Sequence, residues 1–213
     1  MRTTEIVRHI GIATVRARAS AELSAQTADI LGLFDEHAGE LRDGFAVQAG
    51  WAPFVLVACG GGTYDVAAPD FAARAPEDPG WTTDLTLALW VLNGQIVLAG
   101  KLPGHTAPRS LHFADTVLCY RGIADAERIV MSRTSRRDDL DDSGWYLDTF
   151  PQPRGERGPA DFIRMTAFRT LRVNKHLARA LLLPVGYGAI VSRTRIDAVI
   201  DLSTNSVALP VPL

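Results

Sequence analysis

Residues 140–150 read LDDSGWYLDTF, and four kinds of structure are open to them: a metal loop, a catalytic acid pair, a docking surface, or a turn leading into a strand. Four acids, Asp138, Asp139, Asp141 and Asp142, crowd the five positions 138–142. The metal reading fails on spacing. A calcium loop beginning at Asp139 would place Asp141, Ser143 and Gly144 acceptably, but its last position needs a bidentate carboxylate and is Phe150. A catalytic pair needs one carboxyl desolvated so that its pKa rises, whereas crowded acids repel one another toward water. Turn chemistry fits better, since Asp142 and Ser143 bond their own backbone and Gly144 supplies a positive φ. A strand should follow, with Trp145, Leu147 and Thr149 on one face and Tyr146, Asp148 and Phe150 on the other. The acids are expected to face solvent, because charges are costly to bury without cations. Trp145, just past the turn, is expected to bury its ring and still find an acceptor for its indole N–H.

The surrounding pattern mixes periods. Leu23, Thr27, Ile30, Leu31, Phe34, Ala38 and Leu41 recur at helical spacing, predicting a helix over about 20–41 with Ser20 as its N-cap. DGFAVQAGW and PFVLVA read as strands, and CGGGTY as a hairpin turn into TYDVA. That glycine run lacks the Lys-Ser/Thr and helix of a phosphate loop. APDFAARAPEDPG is a surface loop. A second helix is expected over about 83–100, then strands in LHFADTVLCYR, ERIVMS and GWYLDTF. PQPRGERGP, 151–159, is the most loop-like segment and is expected to be mobile. Phe162, Ile163, Met165, Phe168 and Leu171 suggest a helix, followed by a short one over 175–182 after a break at Asn174. VGYGAIVSR and RIDAVIDL predict a hairpin turning near 193–195, and the tail should be extended. Strands joined by short turns argue α+β: two halves with largely antiparallel sheets packed against amphipathic helices. The seam near 101–110 divides them into 1–104 and 105–213.

Composition bounds the function. The 213 residues are 47% hydrophobic and 22% charged, enough for a real core. No apolar run reaches the roughly 18 residues that span a bilayer, and Glu5, Arg8 and His9 interrupt any secretory region, so a cytoplasmic protein is expected. Cys59 and Cys119, in apolar runs without a CxxC, read as small core residues. Net charge is −2, which gives no pull toward nucleic acid or membrane. Its distribution is uneven: residues 1–150 hold 13 Lys+Arg against 20 Asp+Glu, and residues 151–213 hold 9 against 4. Arg172, Lys175 and Arg179 form no stripe across Asn174, and no aromatic residues interleave with them for stacking bases. Neither cysteine has a basic neighbour, and DDSGW lacks the G-x-S-x-G elbow of a serine hydrolase. No metal or cofactor is expected.

IVMSRTSRRDDLDDSGWYLDTF, with the later LARALLLPVGYGAIVSR, resembles the immunity protein family 33 domain of bacteria. That family's pattern is a Ser-Lys/Arg strand end, an acidic segment with Asp-Ser-Gly-Trp, and a later Leu-x-x-Pro-Val-Gly leading into a strand. The matching positions here are Ser132-Arg133, Asp142-Ser143-Gly144-Trp145, and Leu182-Leu183-Pro184-Val185-Gly186. The resemblance covers residues 128–202, and the stretch before it looks like the N-terminal half sometimes found ahead of this domain. One departure stands out: after Asp-Ser-Gly-Trp the family continues with a Gly-Asp/Glu-type segment, where this chain has 151–159. The resemblance implies a non-enzymatic bacterial protein that binds a cognate protein toxin. Asp139, Asp141 and Asp142 would supply charge, and Trp145 and Tyr146 aromatic anchors. Two alternatives stay open: a small hydrolase or transferase using His112 or His176 with an Asp, and a structural or regulatory interaction module.

Overall fold

Alternating small apolar and polar residues start the first sheet. The computed structural model describes residues 2–73, 79–102, 111–135, 142–152 and 157–210. Thr3–Ile10 (β1) and Ala13–Ser20 (β2) form an antiparallel hairpin through Gly11, whose φ of 59° suits a residue without a side chain. Ile10, Ala13, Val15, Ala17 and Ala19 bury one face, and the hairpin is an addition to the strands expected from sequence. The predicted helix is shorter than 20–41. Ser20 ends β2, its backbone N–H donating to Thr86 Oγ1 at 2.9 Å, and its side chain caps nothing. A 3-10 turn, Ala21–Leu23, leads into Ser24–Asp35 (α1), which buries Thr27, Ile30, Leu31 and Phe34. No buried residue follows Phe34 to hold a further turn, so Ala38 and Leu41 lie beyond the helix.

Ala46–Ala49 (β3), Ala52–Gly60 (β4) and Thr63–Pro69 (β5) follow as expected. The turn at Gly60, Gly61 and Gly62 runs through φ values of 91°, 59° and 73°, which only glycine adopts without strain. β5 also pairs in parallel with β2, so the order is β1-β2-β5-β4-β3, with Trp81–Thr82 (β6) beside β5. On the face away from Val15 and Ala17, Arg18 bonds Glu5 at 2.6 Å and Arg16 bonds Asp65 at 2.7 Å. Cys59, expected in the core, is exposed at the end of β4, where the register shifts and the chain leaves the sheet. Cys119 is buried, which pushes its thiol up to about 12.

Thr86–Ala99 (α2) matches the second predicted helix. The chain divides into two compact units within it, Met1–Asn93 and Gly94–Leu213, upstream of the expected 104/105 boundary; residues 103–110 of the expected seam lie outside the described residues. In the second unit Thr116–Tyr120 (β7), Arg128–Arg133 (β8) and Asp142–Thr149 (β9) hold the positions foreseen. Residues 162–166 do not. Phe162–Thr166 (β10) is an edge strand on β7, because FIRMT satisfies a two-residue period as well as a helical one. Only Thr170–Val173 (α3) is helical, after a 3-10 turn at Ala167–Arg169. Asn174, φ −161°, breaks the helix and accepts from His176 N to cap Lys175–Ala180 (α4).

Tyr187–Ser192 (β11) and Ile196–Asp201 (β12) form the expected hairpin, and Ser206–Pro210 (β13) adds the extended tail; residues 211–213 lie outside the described residues. The order is β10-β7-β9-β8-β11-β12-β13, antiparallel except between β7 and β9. Gly188 lets β11 approach β8 closely, since a Cβ there would strike the Met131 carbonyl oxygen. The fold class is α+β, two mostly antiparallel sheets with a few helices. No described helix is long and apolar enough to cross a membrane.

Candidate functional site

The three stretches that carried the family resemblance meet in space. Arg133 ends β8 opposite Trp145 in β9, and Ser132 lies opposite Gly188 in β11. The buried Arg133 guanidinium donates from Nη1 to the Leu183 carbonyl at 2.6 Å and sits 5.9 Å from the Trp145 ring centroid. Trp145 Nε1 donates to the Leu181 carbonyl at 2.8 Å, and Gly186 N to the Arg133 carbonyl at 3.0 Å. Two long side chains thus take up the last carbonyls after α4, which have no helical partner of their own. Asp142, Ser143 and Gly144 keep their turn chemistry inside the start of β9: Gly144 N donates to Asp142 Oδ1, and Trp145 N to Ser143 Oγ. Gly144 has φ 74°. Ser143 Oγ then donates to the Thr116 carbonyl at 2.6 Å, tying β9 to β7.

This arrangement sorts the candidate docking residues. Trp145 is 1% exposed, with its indole N–H satisfied as anticipated. Asp142 and Tyr146 are half-buried. Asp138, Asp139 and Asp141 lie outside the described residues.

On the opposite face of β9 is a cluster that the sequence did not single out. Asp148, on the strand face away from Trp145 and Leu147, is 1% exposed. Its Oδ2 accepts from Tyr146 Oη at 2.8 Å and Gln152 Nε2 at 3.2 Å, and its Oδ1 from Thr149 N at 2.6 Å. Arg157 Nη1 lies 2.8 Å from Oδ1, an ion pair by distance whose N–H is not aligned on the oxygen. Arg157 Nη2 donates to Thr149 Oγ1 at 3.1 Å, and its guanidinium carbon stands 3.5 Å over the Tyr120 ring centroid. Phe162 closes the aromatic side, 5.4 Å from Tyr146 and 6.3 Å from Tyr120. The loop expected to be mobile is therefore pinned where it is described, at Gln152 and Arg157; residues 153–156 lie outside the described residues. The only advance signal was that Tyr146 and Asp148 share a strand face.

Burial, then the hydrogen bond to Asp148 and that residue's charge, push the Tyr146 hydroxyl up to about 12, against an opposing pull from Arg157. A folded-state value above the ordinary 10.0 means that the hydroxyl's contribution to stability is full below pH 10 and is lost as pH climbs through 10 toward 12. Urea unfolding of the wild type should therefore lose stability more steeply over that window than Tyr146→Phe. Parallel profiles would mean that the hydroxyl is already solvated in the folded chain.

Of the two residues of the hydrolase alternative, His112 donates its backbone N–H to Asp115 Oδ2 at 2.9 Å. His112 is exposed, its Nδ1 accepting from Ala114 N at 3.3 Å. His176 is 8% exposed, and its pKa is lowered by burial, then by Arg179 and Lys175. Among the described residues no group of three or more His, Cys, Asp or Glu could hold a metal ion. Comparison of the chain with protein-family models, curated proteins and solved structures found no match in any of the three.

Proposed function

We propose that this chain is a non-enzymatic bacterial protein of the immunity type, acting in the cytoplasm, which neutralises a cognate protein toxin by binding it through a charged surface. One observation supports the reading: Ser132-Arg133, Asp142–Trp145 and 182–186, separate in sequence, pack as one interlocked unit through Arg133, Trp145 and Gly186. Residues that depend on each other in this way belong together as a family pattern does. With Trp145 in the core, the residues proposed for docking are Asp139, Asp141, Asp142 and Tyr146. Such a surface suits a basic partner face and acts chiefly on association rate.

The test is to sequence the neighbourhood of this chain's gene for a toxin-like reading frame and to co-express the two, followed by binding kinetics at two salt concentrations. The triple variant Asp139→Asn, Asp141→Asn, Asp142→Asn should keep its melting temperature and bind on the order of tenfold more weakly, with less salt dependence. Unchanged binding removes the acids from the interface, and absence of any protection from the toxin ends the immunity reading.

A further inference from the structure

We propose that Asp148, Tyr146 and Tyr120 form a guanidinium-binding site, which Arg157 fills within the chain and which also accepts an arginine side chain presented by a partner. The components are those that recognise a planar cation. Asp148 supplies a carboxylate almost wholly removed from water, where its attraction for a cation is far less screened than at a surface. Tyr146 and Gln152 hold Oδ2, and Thr149 N holds Oδ1, so the carboxylate is fixed before any cation arrives. Tyr120 offers a ring face at stacking distance, 3.5 Å from the guanidinium carbon, which favours a flat guanidinium over a compact ammonium. Gly122 keeps that ring in place, because a Cβ at 122 would run into Tyr120 Cε1.

Arg157 is an imperfect occupant. Its Nη1 approaches Asp148 Oδ1 at 2.8 Å without an aligned N–H, and its side chain is 15% exposed. A two-pronged arginine–carboxylate pair is the stronger geometry, so an arginine free to choose its approach competes with a residue tethered to the same strand's end. The site lies on the face of β9 away from Trp145 and shares Tyr146 with the proposed docking surface, but its tests at Arg157 and Asp148 leave Asp139, Asp141 and Asp142 untouched, so the two readings fail separately.

The experiment uses the full chain with Arg157→Ala and, as a variant that keeps the aliphatic stem, Arg157→Met. Melting temperatures are measured with methylguanidinium chloride and with methylammonium chloride at matched ionic strength. Methylguanidinium should raise the melting temperature of either variant by about 3 °C when present at about five times its dissociation constant, and methylammonium should not. N-acetyl-arginine amide should bind Arg157→Ala at least about tenfold more tightly than the wild type, where Arg157 competes. If Arg157→Ala does not fold alone, methylguanidinium should restore the folded state. Adding Asp148→Asn to Arg157→Ala should abolish each effect. The proposal is overturned if methylguanidinium and methylammonium act alike, if wild type and Arg157→Ala bind the arginine amide equally, or if the Asp148→Asn background still responds.

Discussion

Trp145→Ala is expected to lower the unfolding free energy by about 3–5 kcal/mol, the usual cost of removing a large buried aromatic ring. The indole is 1% exposed, so its removal leaves a cavity between β9 and the end of α4 rather than a dent in the surface. The same substitution strips the Leu181 carbonyl of its donor and takes away the ring beside the buried Arg133 guanidinium. Trp145→Phe separates these losses. Phenylalanine refills much of the volume but cannot donate to Leu181, so it should cost about 1–3 kcal/mol, the penalty for a buried acceptor left unmade. Urea unfolding of both variants measures the difference. A cost below about 1 kcal/mol for the alanine variant would mean that the site collapses around the missing ring and that the motif is not held by it.

How far such a residue could be read in advance depended on what surrounds it. Trp145 and Leu147 alternate with polar residues directly after a glycine turn, and a period of two next to a turn admits one reading, so β9 and its buried face were legible. α2 was legible for a similar reason, since its apolar residues continue long enough for the helical period to assert itself. Phe162, Ile163 and Met165 were misread as helix because five residues do not separate the two periods, and the deciding fact is a pairing with β7 far back in the chain. The β1–β2 hairpin hid behind small inward residues, Ala13, Ala17 and Ala19, whose pattern is faint beside the outward Arg16 and Arg18. Cys59 was placed in the core on its apolar neighbours, although the register shift at the end of β4 turns it out.

The candidate sites divide along the same line. Turn chemistry at Asp142-Ser143-Gly144 is local, and it survives inside the strand as the hydrogen bonds to Asp142 Oδ1 and Ser143 Oγ. The meeting of Arg133 with Leu183 and of Trp145 with Leu181 is a tertiary fact, which a pattern of spaced residues hints at without giving the contact. Asp148 was invisible. An acid on an alternating strand carries no local mark of burial, and the Tyr146, Thr149, Gln152 and Arg157 groups that gather round its carboxylate are brought there by the fold.

That burial sets the size of the last expected effect. Asp148→Ala should cost about 3–5 kcal/mol, because removing one partner of a buried ion pair leaves the other charge uncompensated. Here the stranded groups are the Arg157 guanidinium, the Tyr146 hydroxyl, the Gln152 amide and Thr149 N, all of which donate to or face this one carboxylate. Arg157→Ala should cost less, about 1–3 kcal/mol, because Asp148 keeps three donors and loses only the cation. The asymmetry follows from the geometry: the carboxylate is the hub and the arginine one of its spokes. Removing both should cost less than the two single losses added together, since neither charge then waits unpaired, and a coupling of about 1–3 kcal/mol in that cycle would measure their interaction. Strict additivity would show that the misaligned Nη1 contact contributes nothing and that Arg157 is held by the Tyr120 ring and Thr149 Oγ1. A loss below about 1 kcal/mol for Asp148→Ala would mean that water reaches the carboxylate in solution.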